Sequence, residues 1–340
     1  MTIERALAEA LEWQFRTRPP AAVETKAREL ALDTLGCVLA ARRHGFSYGQ
    51  VLDAYITGYE IGGRLGEVLR MAPGMHVDGN WPCYGVAAAV VRLFGGSAAQ
   101  ALTAMRIVAC QLPHSLYLPV AAGANARNTY ASHAAQFGML AANAAMGGAI
   151  APEGALAGPA IAQPGKWFIL EAYVKSYAAV RHVHYGAAAA QALRPKILPR
   201  LHEITRIRLA TYAEALTYCG NRAPRSAIQA QFSLSYGVAC MLVNGELVPD
   251  SYASSFLESP VTRKLEEKME LSEKPGLDRR EATLEIELGK ETLSKTIRRL
   301  SMTREEILAK FARYSGLGEE AGRKFLGADG ARAFAEVSPA

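Results

Sequence analysis

No apolar stretch of this 340-residue chain is long enough to cross a bilayer. The richest run, Gly85 to Leu93, is interrupted by Arg92. The N-terminal Met-Thr-Ile-Glu-Arg lacks the basic-then-apolar order of a signal peptide. Cysteine is scarce: Cys37, Cys83, Cys110, Cys219 and Cys240 stand far apart, odd in number and without a C-x-x-C pair. That usage points to reduced thiols in a cytoplasmic protein, not to a disulfide framework. There is no run of five basic residues, no aromatic-interleaved basic patch and no zinc-finger spacing, which argues against a nucleic-acid partner. G-x-S-x-G, H-E-x-x-H, paired carboxylates and a Gly-rich phosphate loop are missing too, so no common hydrolase, zinc-protease or nucleotide signature applies.

Half of the residues are hydrophobic and 21% are charged, enough to build a sizeable core and too apolar for a disordered chain. At this length one large or two modest domains are expected. Lys and Arg exceed Asp and Glu by 38 to 32, and the sequence pI is near 9.0. With the cations dispersed, a small anionic substrate fits that balance better than a polyanion.

The first 150 residues read as successive helices. After Pro19-Pro20, apolar positions at Val23, Ala27, Leu30, Ala31, Leu35 and Val38 keep helical spacing. A second stripe runs through Leu52, Tyr55, Ile56 and Tyr59 and is expected to end near Gly62, Gly63 and Gly66. Cys83 to Phe94 is small and apolar all round, the mark of a buried helix with close neighbours, and Gly95-Gly96 stops it. Ser97 and Gln100, then Thr303 and Glu306, have capping-box spacing and predict helix starts. Gly147 to Gly165 reads as a connection. Beyond it Ile207 and Leu209, then Leu284, Ile286 and Leu288, alternate with polar residues; Gly289-Lys290 offers a hairpin turn into Leu293 to Ile297. The expected fold is mainly α with an α+β lid: a helical domain over 1–150, an α+β domain over 166–298, and C-terminal helices over 299–340 returning to the first.

Four polar segments could carry chemistry. Gly74 to Cys83 leads into the buried helix, whose amides and dipole would favour a carboxylate beside His76. Gly123 to His133 contains Arg127, a fork suited to clamping a carboxylate; His133 reads as structural. Lys175 to His184 gathers Lys175, Arg181, His182 and His184. The two histidines at i, i+2 have no third ligand at zinc-like spacing, so anion binding or proton transfer by Lys175, Arg181 and His184 is favoured over a metal. Tyr236 follows Arg225 to Ser235 and could donate a proton, although a core tyrosine has the same pattern.

In this order the segments resemble the MmgE/PrpD family, which includes 2-methylcitrate dehydratase, cis-aconitate decarboxylase and iminodisuccinate epimerase. The similarity rests on Gly58-Tyr-Glu-Ile-Gly-Gly-Arg64, on Gly74-Met-His76 with Gly85 to Gly95, on Arg127 to Gly138, on Lys175 to His184 and on Ala230 to Tyr236. It implies a helical domain with a smaller α+β lid, a homodimer, and an active site in the cleft between them. It also implies chemistry without a redox cofactor or metal, in which a proton next to a carboxylate is removed and water or carbon dioxide leaves, or the carbon is reprotonated. His76, Tyr236, Lys175 and His184 fall on family positions. Two departures stand out. Arg127 replaces a lysine, so it can bind an anion but is a poor proton shuttle. An acidic loop of the form His-x-x-Asp-x-Asp-Asp-x-x-His is absent, the chain passing from Ala40-Ala-Arg-Arg-His-Gly-Phe-Ser to the helix at Val51.

The resulting expectation is a cofactor-independent lyase or isomerase acting on a small di- or tricarboxylate, 2-methylcitrate dehydratase-like. His76 is the candidate for proton transfer, with Tyr236 or His184 as the second acid or base, and Arg127, Lys175 and Arg181 binding carboxylates. Alternatives are epimerisation of an iminodisuccinate-like substrate and an inactive dimeric relative that lacks the acidic loop. No nucleic acid or membrane partner is expected.

Overall fold

The structure, a computed structural model, describes residues 3–33, 45–111, 115–158, 161–162, 164–277 and 280–327. Cys37, the run from Ala40 to His44 and the last helical positions expected after Asp33 lie outside them. The chain forms two compact units. The first comprises Met1–Tyr117, Asn128–Val174 and Thr303–Ala340; the second comprises Leu118–Arg127 and Lys175–Met302.

In chain order the helices are α1 (Ile3–Arg16), α2 (Ala21–Asp33), α3 (Tyr48–Val68), α4 (Pro82–Leu93), α5 (Ala98–Cys110), α6 (Leu118–Ala122), α7 (Tyr130–Met146), α8 (Arg181–Ile197), α9 (Ala213–Cys219), α10 (Ala227–Gln231), α11 (Leu234–Asn244), α12 (Ser254–Leu257), α13 (Pro260–Glu267), α14 (Arg304–Ser315) and α15 (Glu319–Leu326). The strands are β1 (Ile204–Thr211), β2 (Met269–Glu273), β3 (Ala282–Leu288) and β4 (Glu291–Ile297). The expected class, mainly α with a smaller α+β part, is the one observed.

The first unit is a helical core around α4, which packs against α3, α5 and α7. Its small apolar sequence explains the close approach. A Cβ on Gly85 would stand 2.6 Å from the Gly58 carbonyl oxygen, and one on Gly58 would stand 2.9 Å from Ala89 Cβ. Gly62, Gly63 and Gly66 do not end α3 as expected; the helix continues to Val68. They are seats for neighbours instead, since a Cβ on Gly66 would press on the Trp81 ring at 2.9 Å and one on Gly63 on Phe168 at 3.2 Å. Both expected capping boxes form, Ser97 with Gln100 and Thr303 with Glu306, and Ser47 with Gln50 adds a third. Gly95, at φ 77°, closes α4 where its glycine pair predicted.

The second unit holds a four-stranded sheet in the order β2-β1-β3-β4. β3 and β4 form the predicted hairpin, Leu288 opposite Glu291, and β3 runs antiparallel to β1. Alternation is sharp in β3, where Ala282, Leu284, Ile286 and Leu288 are buried. On the other face Arg206 pairs with Glu270, and Arg208 with Glu285 and Glu287. Helix α8 covers the apolar side and α11 packs on α8, Gly186 letting Leu209 and Val238 approach. β2, parallel to β1 at the edge, was not foreseen: Met269-Glu-Leu-Ser-Glu buries only its first residue, so the period-two signal is too weak to read.

Candidate active site

In the first unit the polar loop before α4 is folded back on the chain that follows α5. Met75 and Leu116 form an antiparallel bridge. Around it Tyr117 N–H donates to the Gly74 carbonyl at 2.8 Å and His76 N–H to the Ser115 carbonyl at 2.6 Å. That register sets His76 opposite Ser115 and Gly74 opposite Tyr117, on the face away from Met75 and Leu116. The His76 ring lies parallel to Tyr117 at 6.1 Å between centroids and edge-on to Tyr130 at 5.5 Å; Tyr130 is itself tied to the Leu116 carbonyl at 2.8 Å.

His76 is 8% exposed and caps the short 3-10 turn Val77–Gly79. Its Nδ1 accepts the Asp78 backbone N–H at 3.2 Å, and Asn80 Nδ2 donates to its carbonyl at 2.8 Å. An amide can only donate, so Nδ1 presents a lone pair and the neutral ring carries its proton on Nε2. The expected anion seat at the start of α4 is already filled from within. Residue 82 is proline, Cys83 N–H goes to the Asn80 carbonyl at 3.0 Å, and Tyr84 N–H to the Trp81 carbonyl at 3.1 Å. The turn preceding the helix thus takes the amides that sequence reasoning left open.

In the second unit the Lys175–His184 segment is pinned by Ala178 N–H to the Leu247 carbonyl at 2.9 Å and Val180 N–H to the Gln231 carbonyl at 3.0 Å. Lys175 is exposed, whereas Arg181 and His182 are half-buried in the first turn of α8. His184 is fully buried, its Nε2 3.2 Å from the Ala179 carbonyl and its ring edge-on to Tyr177 at 5.2 Å. A carbonyl can only accept, so here Nε2 holds a proton. The two histidines at i, i+2 diverge: His182 Nδ1 lies 2.6 Å from the Tyr212 hydroxyl, and burial pushes its pKa down to about 4. His133 is exposed on α7.

Arg127 sits in the 3-10 turn Asn125–Thr129, its guanidinium 5.5 Å from the centre of the Phe232 ring. The stretch before it is held by Gln229 Nε2 donating to the Ala121 carbonyl at 2.9 Å. Phe232 belongs to the Ala230–Tyr236 motif, so two of the sequence segments meet here. Tyr236 itself is fully buried. Its hydroxyl donates to the Ser251 carbonyl, its ring lies 5.9 Å from that of Tyr252, and burial raises its pKa far above the usual phenol range. Next to it Ser235 donates to buried Glu266, whose carboxyl burial also pushes up.

Residues 45–163 match the MmgE/PrpD N-terminal domain and residues 177–326 the MmgE/PrpD C-terminal domain. The chain belongs to the MmgE/PrpD family. Membership supports a dehydratase- or lyase-like role for this MmgE/PrpD protein. No curated protein matches the chain. Among the described residues no helix is long and apolar enough to cross a membrane. Sequence reasoning did not single out Ser115, Tyr117, Tyr130, Asp78 or Ala179. The signal for the first three is a pairing of segments forty residues apart, which no local pattern reveals; the other two act through backbone groups.

Proposed function

We propose that this MmgE/PrpD protein is a cofactor-independent lyase or isomerase that removes a proton next to a carboxylate of a small di- or tricarboxylate, dehydration of a 2-methylcitrate-like substrate being the leading reaction. The observation that carries the reading is the fixed ring of His76: the Asp78 amide occupies Nδ1 and leaves a proton on Nε2. Proton abstraction followed by loss of hydroxide needs a group that accepts a proton and a donor to the departing oxygen, both present at neutral pH. In this reading His184 is the candidate that accepts the proton α to the carboxylate. The C–H electron pair moves into an enolate-like system stabilised by cations. His76 Nε2–H hydrogen-bonds the departing hydroxyl, which takes the proton carried by His184 and leaves as water as the carbon–carbon double bond forms, so that His184 returns to its starting state.

Arg127, Lys175 and Arg181 are the candidates for holding carboxylates. Arg127 stays charged throughout, so it binds and stabilises without transferring a proton. Tyr236, whose hydroxyl is given to the Ser251 carbonyl, ranks behind His184 as the second acid or base. Replacing the leaving hydroxyl by simple reprotonation turns the same pair into an epimerase, and the fixed arginine at 127 is the feature that favours this second reading. The expected result is that His76→Ala, His184→Ala and Arg127→Ala each lower turnover of the responsive carboxylate at least a hundredfold while circular dichroism is retained. Unchanged turnover in His76→Ala would remove the assignment.

A further inference from the structure

Ser115 is 2% exposed, and its hydroxyl oxygen is buried without a hydrogen-bond partner among the described residues. It stands opposite His76 across the bridge centred on Met75 and Leu116, with its side chain on the same face. Gly79 lies directly against it: a Cβ built on Gly79 would coincide with the Ser115 side chain. Two features of the local sequence therefore place this one hydroxyl, a glycine that makes room for it and a bridge that sets Ser115 on the same face as His76. Packing alone does not call for it, because alanine would fill almost the same volume and leave no polar atom unpaired. A buried polar group with no partner is a standing cost to the folded chain. Tyr252 and Thr262 also carry buried hydroxyls without partners among the described residues, but they lie within the second unit.

We infer that Ser115 is a substrate-binding residue whose hydroxyl donates a hydrogen bond to a carboxylate oxygen of the ligand held beside His76. The inference rests on the carboxylate chemistry proposed above, and it adds a determinant that reads an oxygen acceptor at that position. A hydroxyl without a partner in the free chain acquires one when the anion arrives, and a hydrogen bond to a charged acceptor is among the stronger kinds. Ser115 is thus expected to contribute to affinity and not to the stability of the free protein.

The test is thermal melting of the full chain and of Ser115→Ala, with and without 2-methylcitrate, citrate, cis-aconitate and iminodisuccinate, alongside turnover of each. Without ligand, Ser115→Ala is expected to melt at or above the wild-type temperature. The carboxylate that stabilises the wild type should bind the variant about tenfold or more weakly, with KM raised more than kcat is lowered. A variant that melts lower without ligand would show that the hydroxyl already has a structural partner, and would overturn the inference; so would unchanged carboxylate affinity. Ser115-dependent binding in a chain that exchanges no proton would keep the inference and reject the proposed reaction. A wild type stabilised by none of the four would overturn both.

Discussion

What a histidine can do depends on which ring nitrogen holds the proton, and here the backbone decides. His76 meets an amide at Nδ1 and His184 a carbonyl at Nε2, so both rings hold a proton on Nε2 and differ in which nitrogen the backbone occupies. His182 illustrates a third outcome. Packed against Tyr212 and Tyr218, it is held neutral by burial with a pKa of about 4; Glu214 pulls the other way, while Arg280 and Arg181 reinforce the shift. Its folded pKa lies below the ordinary 6.5, so the unfolded chain takes up the proton first as pH falls. Stability from neutral His182 is fully present above about pH 6.5 and is lost as pH drops toward about 4. His182→Gln should therefore lose less stability than wild type over that window, the two urea-unfolding curves diverging by up to about 2 kcal/mol. Glu266, raised by burial, acts with the opposite sign but is common to both proteins. Parallel pH profiles would contradict this assignment. At this scale His76, Arg127, Lys175, Arg181 and His184 were legible in the sequence as residue types in polar segments. Which ring nitrogen of His76 and His184 the backbone occupies was not, because it rests on Asp78 and Ala179 backbone groups that residue identity does not encode.

At the scale of elements, α3 shows how a motif can be visible while its meaning is hidden. Gly58-Tyr-Glu-Ile-Gly-Gly-Arg64 stood out in the sequence, yet its glycines looked like a terminus. In the structure they let α4, Phe168 and Trp81 approach, while Glu60 and Arg64 anchor the chain that follows the Gly147–Gly165 connection. Arg64 Nη1 lies 2.6 Å from Glu60 Oε2, and Nη2 donates to the Lys166 carbonyl at 2.7 Å. Glu60 in turn accepts the Phe168 and Ile169 amides at 3.1 and 2.8 Å. Both side chains are 1% exposed, and the guanidinium lies over the Phe168 ring at 4.9 Å. Removing one member strands a buried charge, so Arg64→Met is expected to cost about 3–5 kcal/mol in equilibrium unfolding. A loss below about 1 kcal/mol would mean that the pair is not the anchor described. Helix starts marked by capping boxes and the β3–β4 hairpin were readable because their signals are local. β2 was not, since an edge strand with one buried side chain carries almost no alternation.

For the whole molecule, the family matches over residues 45–163 and 177–326 divide the chain once, whereas its two compact units are assembled from interleaved segments. The class of fold was legible because runs of helical and alternating patterns fall in separate stretches. The grouping of Leu118–Arg127 with the second unit was not, because it depends on α6 docking on α10. The run Ala40-Ala-Arg-Arg-His44, where the family carries its acidic loop, lies outside the described residues, and activity is the property that decides between an enzyme and an inactive dimeric relative. Proton NMR in D₂O decides it most directly, with the purified chain and citrate, 2-methylcitrate, cis-aconitate and iminodisuccinate in turn. The account predicts deuterium entering next to a carboxylate of at least one of them, with or without product, and its disappearance in His184→Ala. A folded chain that leaves all four substrates fully protonated and unconverted would contradict the proposal that this protein abstracts a proton beside a carboxylate.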